Sequence, residues 1–196
     1  MKSFLSATAI TVMLAGPVLA DTPADTLVQA WQFDDIISLD PAEVFEFSGA
    51  EIAGNTYERL IGYDPNDVSK LHGVVAESWD VSEDGKTITF KIREGRKFAS
   101  GNPLTAKDVA FSLQRAVKLD MSPAFIITQF GITTDNVDEK IKAVDDTTVT
   151  FEMDRPYALS FVLYCLTSTV ASVVDSKLAM EHEKDGDFGY NWLKTN

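Results

Sequence analysis

The clearest rhythm of apolar and polar positions lies in the middle of the chain. In residues 87–93, Ile88, Phe90 and Ile92 alternate with Thr87, Thr89, Lys91 and Arg93. A period of two places the apolar set on one face and predicts a strand in a sheet with one wet face. Residues 78–81 read as its partner. Ser82-Glu83-Asp84-Gly85-Lys86 reads as the turn between them, with Gly85 where φ must be positive. A second hairpin is predicted from a strand at 140–144, a turn at Asp145-Asp146-Thr147 and a strand at 148–153. Between the hairpins the rhythm becomes helical. Thr105 and Asp108 have capping-box spacing, and Val109, Leu113, Ala116 and Val117 form an apolar stripe.

The flanks are less regular. Residues 26–31 predict a first strand, and Leu39-Asp40-Pro41 a turn. Ser48 with Glu51 three residues on predicts a capped helix from about residue 49 to residue 60, followed by a loop at 63–67. Pro156 suits a helix start and predicts a helix through Leu166. A buried strand is expected at 169–174 and a short helix at 175–183. Hairpins with interposed helices suggest an α/β or α+β domain built on a mixed sheet. There is no internal repeat and no low-complexity tract.

The first twenty residues change the picture from fold to compartment. Lys2 precedes an apolar stretch from Phe4 to Leu14, Gly16-Pro17 breaks it, and Val18-Leu19-Ala20 offers small or modest residues for cleavage. That is the pattern of a secretory signal at residues 1–20, with cleavage expected after Ala20 and the mature chain at 21–196 in the periplasm. The run is short for a membrane span and no basic cluster follows it, so no membrane insertion is expected after cleavage. Cys165 is the single cysteine, in an apolar run where burial is the better reading, so no disulfide framework exists. A hydrophobic share of 45% is enough for a real core. The net charge of −13 disfavours nucleic acid and anionic membranes as partners.

Candidate chemistry is sparse. His72 and His182 stand alone, HExxH and CxxC patterns are absent, and no metal or other cofactor is expected. No Gly-x-Ser-x-Gly elbow or Gly-rich phosphate loop is present, so no catalytic residue is assigned and the chain is not expected to be an enzyme. The best ligand-facing segment combines aromatic rings with carboxylates: Trp31, Phe33, Asp34, Asp35, Phe45, Glu46 and Phe47. It follows the first predicted strand and suits a ligand with an amine and an apolar body. The alternative is that Trp31, Phe45 and Phe47 pack inside the lobe and the acids are merely solvated.

Ala76-Glu77-Ser78-Trp79, Asp84-Gly85-Lys86-Thr87, Phe90-Lys91-Ile92-Arg93, Phe98 and the block from Gly101-Asn102-Pro103-Leu104-Thr105-Ala106-Lys107-Asp108-Val109 to Ser112 form one signature. It resembles that of the family 5 extracellular solute-binding proteins, which serve ABC importers of dipeptides, oligopeptides, nickel, haem, opines and some sugars. Ser38-Leu39-Asp40-Pro41, residues 55–60, residues 144–149 and Arg155-Pro156 resemble flanking parts of the same family. Most signature residues have turn, cap or core roles, and so read as determinants of fold rather than ligand contacts.

The resemblance implies two lobes that close on a solute about a hinge. For this chain it implies a type II periplasmic-binding-protein-like first lobe, truncated before the second, because family members run to several hundred residues. The function implied is the periplasmic binding component of an ABC importer. A di- or oligopeptide is the first candidate solute, the permease subunits are partners, and a monomer is expected. A truncated remnant without transport activity is the alternative, with a secreted enzyme behind it. A lobe whose sheet lacks later strands would keep open edges and a bare apolar face, so marginal folding and no tight binding are expected of this chain alone.

Overall fold

The computed structural model describes residues 22–30, 32 and 34–194, so the leader expected at residues 1–20 lies outside the described residues. The chain divides into two units, one ending at Gln32 and one running from Phe33. In the first, the described residues form a turn closed by Thr26 N–H donating to the Pro23 carbonyl at 2.9 Å. The strand predicted at 26–31 is corrected, because residues 26–30 are irregular; Trp31 lies outside the described residues. Strand preference reflects packing against neighbours, and Leu27 and Val28 are exposed and join no ladder.

The second unit is a mixed α/β body. Its elements in chain order are α1 (Phe47–Thr56), β1 (Ile61–Asp64), β2 (Asp67–Gly73), β3 (Ala76–Val81), β4 (Thr87–Ile92), α2 (Ala106–Leu119), α3 (Phe125–Thr128), α4 (Val137–Lys140), β5 (Ile141–Asp145), β6 (Thr148–Glu152), α5 (Leu159–Cys165), α6 (Ser176–Glu181) and α7 (Tyr190–Leu193).

Both predicted hairpins form. They join edge to edge in the order β3-β4-β6-β5, with every pair antiparallel. At the joint Ile88 stands opposite Phe151 and Phe90 opposite Val149, so the apolar faces of the two hairpins coincide. All four side chains are buried. Gly85 has φ +70°, as its turn requires.

Helix α2 covers this face. Its start is as expected: the Asp108 carboxylate accepts the Thr105 N–H at 2.8 Å and the Thr105 hydroxyl at 2.9 Å. Val109, Leu113, Ala116 and Val117 are buried in the same core as the strand side chains. Burying each large apolar side chain contributes about 1.5–3 kcal/mol. The apolar sheet face expected to lie bare is therefore covered, since the helix that covers it comes from the same stretch of chain. One of the two grounds for marginal folding is removed, while β3 and β5 remain edge strands.

Four further expectations are corrected. The helix predicted at 49–60 runs over Phe47–Thr56, and Glu46 rather than Ser48 is its N-cap. It stops because Tyr57 turns extended (φ −106°, ψ 151°), which lets Arg59 bridge to Ser172. The loop at 63–67 is the tight turn of the β1–β2 hairpin, where Asp64 Oδ1 accepts the N–H groups of Asn66 at 2.8 Å and Asp67 at 3.2 Å. No residue of β2 is fully buried, so it carries no apolar alternation to read. The helix expected from Pro156 begins at Leu159, because Tyr157 is pinned: its one hydroxyl proton is shared between the Gln129 carbonyl at 3.1 Å and Asp154 Oδ1 at 3.0 Å. Residues 169–174 form a 3-10 turn followed by a single bridge at Ser172 instead of a strand. Val173 N–H donates to the Glu58 carbonyl and Val174 N–H to the Ser112 hydroxyl, so the backbone is satisfied without a ladder.

Candidate functional site

The segment before α1 is tied down by a buried ion pair. Asp40 sits at the predicted turn, where its Oδ1 accepts the Ala42 N–H at 2.9 Å and its carbonyl accepts from Glu43 and Val44. Its carboxylate also meets the Arg115 guanidinium in a two-pronged pair, Nη1 to Oδ1 at 2.7 Å and Nη2 to Oδ2 at 2.5 Å. The side chains are 0% and 2% exposed. Arg115 Nε donates to the Phe188 carbonyl at 2.9 Å, so one guanidinium joins three stretches of chain. Burial and the negative charge of Asp40 push the Tyr57 phenol above its ordinary pKa, opposed by Arg115.

Two further ties hold the segment. The Glu43 carboxylate accepts the Tyr190 hydroxyl at 2.9 Å and lies 3.4 Å from Lys194 Nζ. The Glu46 carboxylate turns back on its own loop: Oε1 accepts the Ile37 N–H at 3.1 Å and Oε2 the Phe45 N–H at 3.0 Å. Burial tends to raise the Glu46 pKa, but N–H groups of Phe45, Glu46, Ile37 and Ser38 outweigh it and hold the carboxyl below its ordinary value. A lowered folded value stabilises the loop fully above the unfolded pKa of about 4.3 and loses that contribution as pH falls through the folded value. Acid titration below about pH 4 is therefore expected to lower the protection factors of the Ile37 and Phe45 amides, exchange being compared with the intrinsic rate at each pH. Exchange at those amides that keeps the same protection through this window removes the carboxylate tie.

What this frame presents is apolar. Phe45 is 56% exposed and meets the ring of Phe125, itself 54% exposed, edge-on at 5.6 Å and 87°. Phe47 is 91% exposed, and Ile37 and Leu39 are also on the surface. Asp34 and Asp35 are exposed, and the Asp35 carboxylate accepts the Ser48 N–H at 3.4 Å. Hydrogen bonding from Ser48 lowers the Asp35 pKa against a smaller effect of burial.

Of the residues singled out from sequence, Asp35, Phe45, Glu46 and Phe47 thus meet around one loop and the first turn of α1. Asp34, the chain neighbour of Asp35, is exposed, and Trp31 and Phe33 lie outside the described residues. Phe45 and Phe47 are not packed in the lobe. The Glu46 carboxylate is occupied by backbone N–H groups. Sequence reasoning missed Arg115, although Asp108, Ser112 and Arg115 recur at i, i+4 and i+7 and are all buried, a polar stripe beside the apolar one. Phe125 was missed because an exposed ring and a core ring look alike in a sequence.

A separate cleft of about 650 Å³ is lined by Tyr57, Glu58, Phe98, Asp175, Leu178 and Trp192, among others. Both of these carboxylates are committed. Asp175 accepts from Ser100, Asn102 and Leu178 N–H, and Glu58 pairs with Arg96. Among the described residues no group of three or more His, Cys, Asp or Glu could hold a metal ion. Burial raises the half-buried Cys165 thiol above its ordinary pKa, opposed by the Gln129 amide 3.6 Å away, which disfavours the reactive thiolate. No helix among the described residues is long and apolar enough to cross a membrane.

Known proteins are similar to this chain in sequence and in shape. The "Probable D,D-dipeptide-binding periplasmic protein DdpA" of Escherichia coli (strain K12) is 32% identical over 87% of this chain and 32% of its own. The "Periplasmic oligopeptide-binding protein OppA" of the same organism is 29% identical over 99% of this chain and 39% of its own. The substrate-binding domain of an oligopeptide ABC transporter from Bacillus anthracis str. Ames superposes with a TM-score of 0.65 at 29% identity, covering 75% of this chain and 29% of that one. The chain spans about a third of the length of the curated relatives it matches. Residues 70–196 match the family described as bacterial extracellular solute-binding proteins, family 5 Middle, and the chain belongs to that family.

Proposed function

We propose that this chain supplies one wall of a periplasmic binding protein that captures a di- or oligopeptide and delivers it, as a monomer, to the permease subunits of an ABC importer. The observation that carries this reading is the exposed Phe45–Phe125 pair standing on a buried ionic frame. Exposed apolar side chains that touch one another, unlike scattered ones, mark a surface that meets something, and rigid presentation lowers the ordering cost of binding. The exposed Asp34 and Asp35 carboxylates, the latter bonded to Ser48 N–H in the first turn of α1, suit the amine of a peptide, and the rings suit an apolar side chain. The relatives carry dipeptide and oligopeptide binding in their names, which agrees. The mechanism is capture alone: a ligand displaces water from the rings, and no bond is made or broken. Export through the leader at residues 1–20, with cleavage after Ala20, places this wall in the periplasm.

The test is calorimetric titration of the native protein, taken from the periplasmic fraction, with Ala-Ala, Phe-Phe, N-acetyl-Phe-Phe and Ala-Phe-Ala. Phe-Phe is expected to bind tighter than Ala-Ala, and N-acetylation is expected to weaken it. Phe45→Ala is expected to reduce Phe-Phe affinity about fivefold or more, the size of effect found for a ring at the centre of an interface. Absence of heat with every peptide, or unchanged affinity in Phe45→Ala, sinks the reading.

A further inference from the structure

We infer that Gly49 and Glu46 form a latch that sets the place of Phe45, and that both are positioning residues for the ligand wall; the inference rests on the function proposed above. Gly49 lies in the first turn of α1 and is buried. Its φ is not positive, so backbone conformation gives no reason for a glycine. Glycine within a helix is a cost relative to alanine. What it provides is room. A Cβ at residue 49 would lie 2.5 Å from Glu46 Oε1 and 3.1 Å from its carboxyl carbon, with the Ser38 carbonyl at 3.4 Å. The carboxylate occupies the space a side chain would take.

From that seat the two oxygens of Glu46 hold the two ends of one loop, Ile37 at one end and Phe45 at the other. Phe45 therefore leaves the loop from a backbone N–H that is fixed, and its ring meets Phe125 edge-on. Arg115 and Asp40 anchor the middle of the same loop but touch neither of its ends. The latch decides where the ring stands; the ion pair decides whether the loop stays on the body. Gly49→Ala separates these roles. The alanine gains helix propensity while it expels the carboxylate, so stability changes little and the ring loses its place. Glu46→Gln is the second variant. It keeps the seat but offers a single oxygen, which accepts only one of the two N–H groups at full strength.

The experiment uses the native protein and three readings: hydrogen exchange at the Ile37 and Phe45 amides, calorimetric affinity for Phe-Phe and Ala-Ala, and the melting temperature. In Gly49→Ala, exchange at both amides is expected to rise about tenfold or more, as for loss of a local opening barrier. Phe-Phe affinity falls about fivefold or more, and Ala-Ala affinity falls less. The melting temperature stays within about 3 °C. Glu46→Gln gives the same changes at smaller size. Unchanged amide exchange in both variants overturns the latch. Faster exchange with unchanged Phe-Phe affinity overturns its positioning role while leaving the proposed function standing. A parent protein that binds none of the four peptides overturns the proposed function, and this inference falls with it; the parent titration, read first, tells these failures apart.

Discussion

Asp40→Ala is expected to lower the free energy of unfolding by about 3–5 kcal/mol, because it leaves the Arg115 guanidinium buried without its counter-charge. The pair is inaccessible on both sides, so water cannot take over the role of the lost carboxylate. The penalty exceeds the net worth of the pair itself, and a second variant exposes the difference. Replacing both partners with apolar residues of similar size, Asp40→Leu with Arg115→Met, removes the uncompensated charge and is expected to recover much of the loss. Urea unfolding followed by circular dichroism measures both. Should Asp40→Ala cost under about 1 kcal/mol, the guanidinium is not held as described. Function follows stability here, since the pair secures the loop from which Phe45 projects, and Asp40→Ala is expected to lose peptide affinity as well.

Phe130→Ala is expected to cost about 3–5 kcal/mol, the usual range for deleting a core phenylalanine. Phe130 is buried and meets three rings edge-on: Phe151 at 5.8 Å, Tyr157 at 5.1 Å and Phe161 at 5.7 Å. Each such pair adds roughly 0.5–1.5 kcal/mol beyond area burial. These contacts join β6, the pinned segment before α5 and α5 itself, so the cavity would open where three elements meet. Phe130→Leu keeps most of the apolar volume and is expected to cost less. The midpoint of urea unfolding should fall in the order parent, leucine variant, alanine variant, with the slope unchanged. Equal midpoints for parent and alanine variant would show that the rings do not pack on Phe130.

The two expectations concern different kinds of support. The Phe130 cluster is apolar, non-directional and tolerant of modest repacking, as suits a region that only has to be full. The Asp40–Arg115 pair is directional, and its cost is justified where one loop must sit in one place. That loop is the one whose exposed rings are proposed to meet the ligand. The carboxylates of the segment differ in how far they are committed. Glu46 closes on its own loop through two backbone N–H groups, whereas Asp35 takes one N–H from Ser48 and stays exposed, as Asp34 does.

Local pattern was enough for the two sheet hairpins, the capped helix α2 and the turn at Gly85. Alternation of Ile88, Phe90 and Ile92, the Thr105–Asp108 box and a glycine at positive φ each act within a few residues. The acidic, cysteine-poor character and the likeness to a solute-binding family were also legible without coordinates. The β1–β2 hairpin was not, because β2 buries no side chain fully and leaves no rhythm in the chain.

The expected strands at 26–31 and 169–174 failed for a related reason: a ladder depends on a neighbour, and no stretch of sequence carries its neighbour with it. The site divides the same way. Its residue types could be read, but not their directions. Only the tertiary structure decided that Arg115 reaches Asp40 across 75 positions of chain, that Phe45 faces out while Phe130 faces in, and that the Glu46 carboxylate closes on its own loop. Burial and long-range pairing are properties of the packed whole, and they choose among orientations that the order of residues leaves equally open.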